Sequence, residues 1–184
     1  GGDGDDSVFL ADNFGNDTVI GGETGGTDTD RLYGNLLTSS VTVTYTGDEA
    51  GTYGDGTSTL TFTEIEMIWT GSGADAIDLR ADTAGVTLSS AGGSDLVWSG
   101  QGDDVLNTGS GGDTIYVTEA SGTDSIVAGS GTDVLYLSDT GTGLGVDVTF
   151  TTDSSGSYDF LGSAADGTFS SAEVIYTTTS ADSF

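Results

Sequence analysis

Single aliphatic residues recur along this chain at a fixed place in units of nine residues. The units include GGDGDDSVF (Gly1–Phe9), DNFGNDTVI from Asp12, GGTDTDRLY from Gly25 and TGSGADAID from Thr70. A dense run follows, with SAGGSDLVW from Ser90, SGQGDDVLN from Ser99, TGSGGDTIY from Thr108, EASGTDSIV from Glu119 and AGSGTDVLY from Ala128. The eighth position holds Val8, Val19, Leu32, Ile77, Val97, Leu106, Ile115, Ile126 and Leu135, without a polar exception. Each unit therefore reads as a glycine-rich turn followed by a strand of about three residues. Strand side chains alternate, so the eighth residue faces a core while its neighbours face out. The tenth position points inward again at Leu10, Leu79, Val117 and Leu137. Two units complete one coil, which stacks units n and n+2 about 4.8 Å apart on the same edge.

The sixth position is as regular as the eighth. It holds Asp6, Asp17, Asp30, Asp75, Asp95, Asp104, Asp113, Asp124 and Asp133. Stacking places Asp95, Asp113 and Asp133 on one edge, and Asp104 with Asp124 on the other. Carboxylates at that spacing repel one another strongly away from water. A cation between coils reverses the sign of the interaction. Calcium accepts six to eight oxygens, and glycines at the fourth position (Gly93, Gly102, Gly111, Gly122, Gly131) let backbone carbonyls face an ion with no Cβ in the way.

Composition narrows the chemistry further. The chain carries 30 acidic side chains against 2 basic ones, a formal charge of −28 over 184 residues. Such a surface repels nucleic acid and anionic lipid and suits hard multivalent cations. His and Cys are both absent. Zinc, iron–sulfur and thiol chemistry therefore have no ligands, and the commonest general base is missing. No apolar run reaches membrane-spanning length, and no signal peptide is visible. An apolar fraction of 34% at regular positions argues for a chain that folds once its charge is neutralised. Proline is absent, so no strand is blocked from ladder pairing.

The two columns and their glycines resemble the GGxGxDxUx repeat of the RTX, or haemolysin-type, calcium-binding family. The resemblance covers roughly two thirds of the chain and is most specific from Ser90 to Tyr136. It implies an all-β fold, a right-handed parallel β-roll or β-helix with several calcium ions in its Gly/Asp-rich turns. It also implies type I secretion from a Gram-negative bacterium, the chain crossing unfolded and folding outside the cell or at its surface. The expected role is structural or adhesive, as in an adhesin, a surface layer or a filament, and not enzymatic. The alternative is a secretion and folding module attached to an extracellular enzyme such as a protease or lipase. Some units depart from the pattern: Asp12, Thr70, Ser90 and Glu119 replace the first glycine, and Asp28 replaces the fourth. Weaker or missing ions are expected at those turns.

Two stretches break the period and resemble each other. VTVTYTGDEAGTY (Val41–Tyr53) matches VDVTFTTDSSGSY (Val146–Tyr158) at an offset of 105 residues. TFTEIEMIWTGSGADAI (Thr61–Ile77) matches TFSSAEVIYTTTSADSF (Thr168–Phe184) at an offset of 107. Each reads as a widened coil carrying a protruding hairpin. The expected layout is repeats over 1–40, a widened coil over 41–69, repeats over 70–136 and a second widened coil over 137–184, in one solenoid. Gly1 opens a turn and Phe184 takes an eighth-position slot, so the expectation is a piece of a longer chain or polymer.

The ninth position places Trp98, Tyr116 and Tyr136 above one another on an outer face. This ladder could serve a partner, a glycan or self-association, which could also run end to end. Packing beneath the Val146–Tyr158 segment is the preferred reading. Trp69 and Tyr176 occupy matching places in the duplication. Glu64, Glu66 and Glu173 could be imagined as a glycosidase-type pair. The correspondence of Glu66 with Glu173 fits a repeated structural position better. Thr42, Thr44, Thr61 and Thr63 could form a flat ice-binding face, but threonine is simply a good strand residue. Arg31 and Arg80 are expected to form local ion pairs.

Overall fold

The computed structural model describes residues 1–22, 28–118, 120–139, 143–177 and 182–184. Glu119 and residues 25–27, which open two of the expected units, lie outside them. Among the described residues there is no helix.

Three short strands come first: β1 (Ser7–Phe9), β2 (Thr18–Ile20) and β3 (Arg31–Tyr33). A longer excursion follows in β4 (Thr42–Gly47), β5 (Ala50–Gly54) and β6 (Thr59–Thr63). Short strands then resume as β7 (Met67–Trp69), β8 (Ala76–Asp78), β9 (Thr87–Ser89), β10 (Leu96–Trp98) and β11 (Val105–Asn107). The dense repeats contribute β12 (Ser110–Gly111), β13 (Thr114–Thr118), β14 (Thr123–Val127), β15 (Ser130–Gly131) and β16 (Val134–Ser138). A second excursion, β17 (Val146–Phe150), β18 (Gly156–Phe160) and β19 (Asp166–Ser170), precedes β20 (Val174–Thr177).

Successive half-coils are laid alternately on two walls, each a nine-stranded sheet. Wall A runs β1-β3-β7-β9-β11-β14-β19-β18-β17, and wall B runs β2-β6-β5-β4-β8-β10-β13-β16-β20. Neighbouring single strands are parallel, and their eighth positions fall in register. On wall B, Ile77, Val97, Ile115, Leu135 and Ile175 stand opposite one another in turn. The architecture is a parallel β-roll, as the nine-residue period predicts. Its core is the eighth-position column of both walls, joined by Leu79, Val117 and Leu137 from the tenth. Each fully buried aliphatic contributes about 1.5–3 kcal/mol. Val8 and Val19, in the first coil, and Ile175, in the last, remain partly exposed.

The excursions differ from the protruding hairpins expected of them. Strands β4, β5 and β6 pair antiparallel and lie flat in wall B, β6 joining β2 and β4 joining β8 in parallel. Three strands thus fill one strand's place. Strands β17, β18 and β19 repeat the arrangement in wall A, with β19 parallel to β14 and Asp147 of β17 bridging to Ser183. Tyr53 and Tyr158, one from each excursion, turn inward and are buried. A strand whose inner side chains can fill the core gains more by joining the wall than by leaving it.

The two excursions sit on opposite walls because eight single-strand half-coils separate them. That corrects the preferred reading of the aromatic ladder. Trp98, Tyr116 and Tyr136 stand on the outer face of wall B, whereas Val146–Tyr158 belongs to wall A. The rings pack on one another, with centroids 5.7 Å apart for Trp98–Tyr116 and 4.7 Å for Tyr116–Tyr136, and Tyr176 extends the stack at 5.0 Å. Wall A carries the duplicate, Phe9–Tyr33–Trp69, at 4.7 and 4.5 Å. Arg80 pairs locally with Asp78 at 2.6 Å, whereas Arg31 pairs with Asp5 of the neighbouring coil at 3.2 Å.

Candidate metal sites

The turns line two edges of the roll, edge I leading into wall B and edge II into wall A. On edge I, Asp75, Asp95, Asp113 and Asp133 immediately precede β8, β10, β13 and β16. Each is at most 2% exposed. A ladder runs through them. The Asp75 N–H donates to Asp95 Oδ1 at 2.9 Å, the Asp95 N–H to Asp113 Oδ1 at 2.9 Å, and the Asp113 N–H to Asp133 Oδ1 at 2.8 Å. Val41 begins it, donating to Asp75 Oδ1 at 2.8 Å, and Glu173 Oε2 ends it, accepting the Asp133 N–H at 2.9 Å. One oxygen of each carboxylate is thereby committed. The other, Oδ2 of Asp75, Asp95, Asp113 and Asp133, is buried with no hydrogen-bond partner.

Buried ionised oxygens without partners are costly, and in native proteins they mark a missing ion or proton. Burial, the largest cause, pushes all four carboxyls above their ordinary range, Asp95 to about 6. Neighbouring hydroxyls of Thr70, Ser90 and Thr108 temper the rise at Asp75, Asp95 and Asp113. Those hydroxyls nevertheless donate to carbonyls one coil along, Thr70 to Ser90, Ser90 to Thr108 and Thr108 to Ala128.

The edge I turns hold their backbone open. Gly93, Gly111 and Gly131 have φ of 124°, 146° and 149°. A Cβ on Gly111 would stand 1.4 Å from the Gly93 carbonyl oxygen, and one on Gly131 equally close to that of Gly111. Only glycine fits such a stack. The turns also pair with each other, β12 with β15 in parallel. Carbonyl oxygens are therefore stacked from coil to coil along the edge that carries the carboxylates, and both are oxygen donors of the kind calcium prefers. Among the described residues no three acidic side chains close on one point. An ion here would be held by carboxylates of successive coils together with backbone carbonyls.

In the same coils, edge II is built differently. Asp104 Oδ1 accepts the Val86 N–H at 2.8 Å and Asp124 Oδ1 the Asp104 N–H at 3.1 Å. Their second oxygens are also engaged, Asp104 Oδ2 by the Gly100 N–H at 3.0 Å and Asp124 Oδ2 by the Tyr158 O–H at 3.1 Å. Burial pushes Asp104 up to about 7 and Asp124 to about 6. Gly102 and Gly122 both have φ of 85°. Nearer the N-terminus, the Asp6 N–H donates to Asp30 Oδ1 at 2.7 Å, while Asp6 Oδ2 accepts the Gly2 N–H at 2.8 Å. Asp17, before β2, is exposed, and its carbonyl accepts the Thr61 N–H at 2.9 Å.

The columns read from sequence missed two members. Glu66 and Glu173 immediately precede β7 and β20 and occupy the sixth-position place of their coils. Each stands two residues before an aliphatic, Ile68 and Ile175, the same offset that defines the aspartate column. Read across Asp and Glu alike, the pattern finds both. They lie on opposite edges and each accepts a backbone N–H, which leaves no glycosidase-type pair between them.

Residues 87–116 and 120–139 match the model of the RTX calcium-binding nonapeptide repeat, in four copies. This stretch carries RTX repeats. The match covers β9 to β16, the stretch with the continuous carboxylate ladder, and is narrower than the two thirds read from the sequence. RTX repeats are a calcium-binding type, and the unpartnered oxygens of edge I fit that ion. Among solved structures, the chain is similar to the extracellular lipase LipA from Serratia marcescens at 15% identity and a TM-score of 0.31. The alignment takes in 96% of this chain and 37% of the lipase. No curated protein matches.

Proposed function

We propose that the chain is a calcium-loaded structural segment of a secreted bacterial protein, folding on extracellular calcium and serving in an adhesin, a surface layer or a filament. The observation that carries this reading is the run of four buried, unpartnered carboxylate oxygens on edge I. A second oxygen at each of these positions already holds the backbone of the preceding coil. An ion on the free oxygens would neutralise the column and tie successive coils together. Edge I (Asp75, Asp95, Asp113, Asp133, with Gly93, Gly111 and Gly131) supplies the tighter sites. On edge II an ion at Asp104 or Asp124, with Gly102 and Gly122, must displace an internal hydrogen bond. Asp6, Asp17 and Asp30 would form an outlying group.

At low calcium the uncompensated charge keeps the chain open, which suits passage through a type I secretion channel. The internal duplication supports a structural role over that of a folding module for an attached protease or lipase. The same block of coils and excursion is built twice, as a lengthwise array requires. On this reading 1–40 and 70–136 are repeat arrays, and 41–69 and 137–184 are excursions of one solenoid. The test is a calcium titration followed by far-UV circular dichroism and light scattering on one sample. A cooperative gain of β-structure near millimolar calcium is expected, with scattering that rises alongside it. A chain already folded in EDTA, with no response to calcium, would sink the calcium reading. Folding without scattering would favour the secretion-module role.

A further inference from the structure

Each coil that carries an excursion leaves an edge of the roll at a sixth-position aspartate, runs through a single strand and then the excursion, and returns to the same edge at a glutamate. The first leaves at Asp30 and returns at Glu66, 36 residues later, and the second leaves at Asp133 and returns at Glu173, 40 residues later. At both junctions the aspartate N–H donates to the glutamate Oε2, at 2.5 Å and 2.9 Å. At both, the aspartate keeps a second oxygen that is buried and unpartnered, Asp30 being 1% and Asp133 0% exposed. Glu66 adds an unpartnered buried oxygen of its own, Oε1. The residue two before each glutamate has the same left-handed backbone, φ 58° at Glu64 and 59° at Ser171. At the first junction the Glu64 carbonyl oxygen and the free oxygen of Asp30 border one space. The two lie 1.9 and 2.1 Å from the point where a Cβ on Gly21 would sit, a space open because residue 21 is glycine.

From this geometry, and resting on the calcium reading above, we infer that Glu66 and Glu173 are calcium ligands. Each completes a junction site with Asp30 or Asp133 that closes the coil carrying an excursion. The return segments TEIE and SSAE lack the glycine turn of the repeats, so fewer carbonyls are open to an ion there. A glutamate offsets this, since its longer side chain can place both oxygens on calcium as the last ligand of an EF-hand does. An ion bridging the two ends also closes a long loop in the chain, which is where a cross-link constrains the unfolded state most.

The test is calcium stoichiometry by isothermal titration on the full chain, for the unaltered protein, Glu66→Gln, Glu173→Gln and the double variant. Glutamine keeps an oxygen to accept the aspartate N–H and removes only the charge, so a merely structural glutamate would leave the count unchanged. The expected result is one ion fewer for each single variant and two fewer for the double. Hydrogen exchange should accelerate in β4–β6 for Glu66→Gln and in β17–β19 for Glu173→Gln, and Glu66→Asp should recover the ion at reduced affinity. If Glu66→Gln fails to fold, the more exposed Glu173→Gln supplies the count alone. An unchanged count in folded variants overturns this inference and leaves the calcium reading standing. No calcium bound by the unaltered chain overturns both.

Discussion

The two edges of the roll use the same nonapeptide and reach different electrostatic states. On edge I, Asp75, Asp95, Asp113 and Asp133 each spend one oxygen on the neighbouring coil and bury the other unpartnered. On edge II, in the same coils, Gly100 and Tyr158 occupy that second oxygen. The turns follow suit. Edge I is left-handed at both second and fourth positions, at Ala91 and Gly93, Gly109 and Gly111, Gly129 and Gly131, whereas Gly102 and Gly122 are left-handed only at the fourth. A repeat consensus therefore specifies where a carboxylate sits but not whether it is free to take an ion. What decides that is the neighbour delivered by the rest of the fold.

Removing calcium should have the largest effect and should open edge I first. Chelation is expected to abolish most β-structure in circular dichroism, since each site occupied at 100 times its Kd contributes about 2.7 kcal/mol. Survival of the edge I amides in hydrogen exchange, with edge II lost, would reverse the ranking. Next in size is the contrast between Asp113→Asn and Asp104→Asn. The first removes the charge at the middle of the free column and should raise the calcium midpoint about tenfold, equivalent to about 1.4 kcal/mol. Asp104→Asn should move that midpoint far less, and equal shifts would erase the distinction between the edges.

Tyr158→Phe sharpens the comparison by freeing Asp124 Oδ2. At calcium just sufficient to fold the chain it should cost roughly 1.5–3 kcal/mol, the range for a hydrogen bond to a charged group. At saturating calcium the loss should shrink, because an ion can take the vacated place, and urea melts at both calcium concentrations read the difference. The response to pH has a defined sign. Burial holds Asp95 and Asp124 at about 6 and Asp104 at about 7, so the metal-free roll binds more protons than the unfolded chain. Its stability is then fullest below the usual carboxylate range and falls as pH rises through 6 to 7. Acidifying the calcium-free protein from pH 8 to pH 5 should restore β-structure, while calcium binding near pH 6 should release protons. The smallest effect is expected from Ala91→Gly, which relieves a non-glycine residue at φ 63° and should stabilise by about 1 kcal/mol.

The coil, its core and the pairing of Asp95 with Asp113 and Asp133 were legible because a strand alternates with period two and the repeat has a constant length. The duplication gave away the equivalence of Val41 with Val146, now seen as matching N–H bonds to Asp75 and Asp182. The partner of Asp124 was not legible. Tyr158 lies 34 residues away and reaches it only because the second excursion lies flat in wall A. The glutamate junctions were missed for a simpler reason, that the column was read for aspartate alone. The wall chosen by each excursion depends on how many half-coils intervene, a count hidden by the irregular spacing around Thr70 and Val86.

That count makes sidedness a matter of parity. An even number of single half-coils between excursions sends the next one to the far side, so a tandem of such blocks would bear them alternately left and right, like leaves along a stem. Inserting or deleting one nonapeptide in every interval would put all the excursions on the same flank as the first. Adding or losing nonapeptides in twos would change only the spacing. A length change too small to disturb the core can therefore turn a two-sided rod into a one-sided comb.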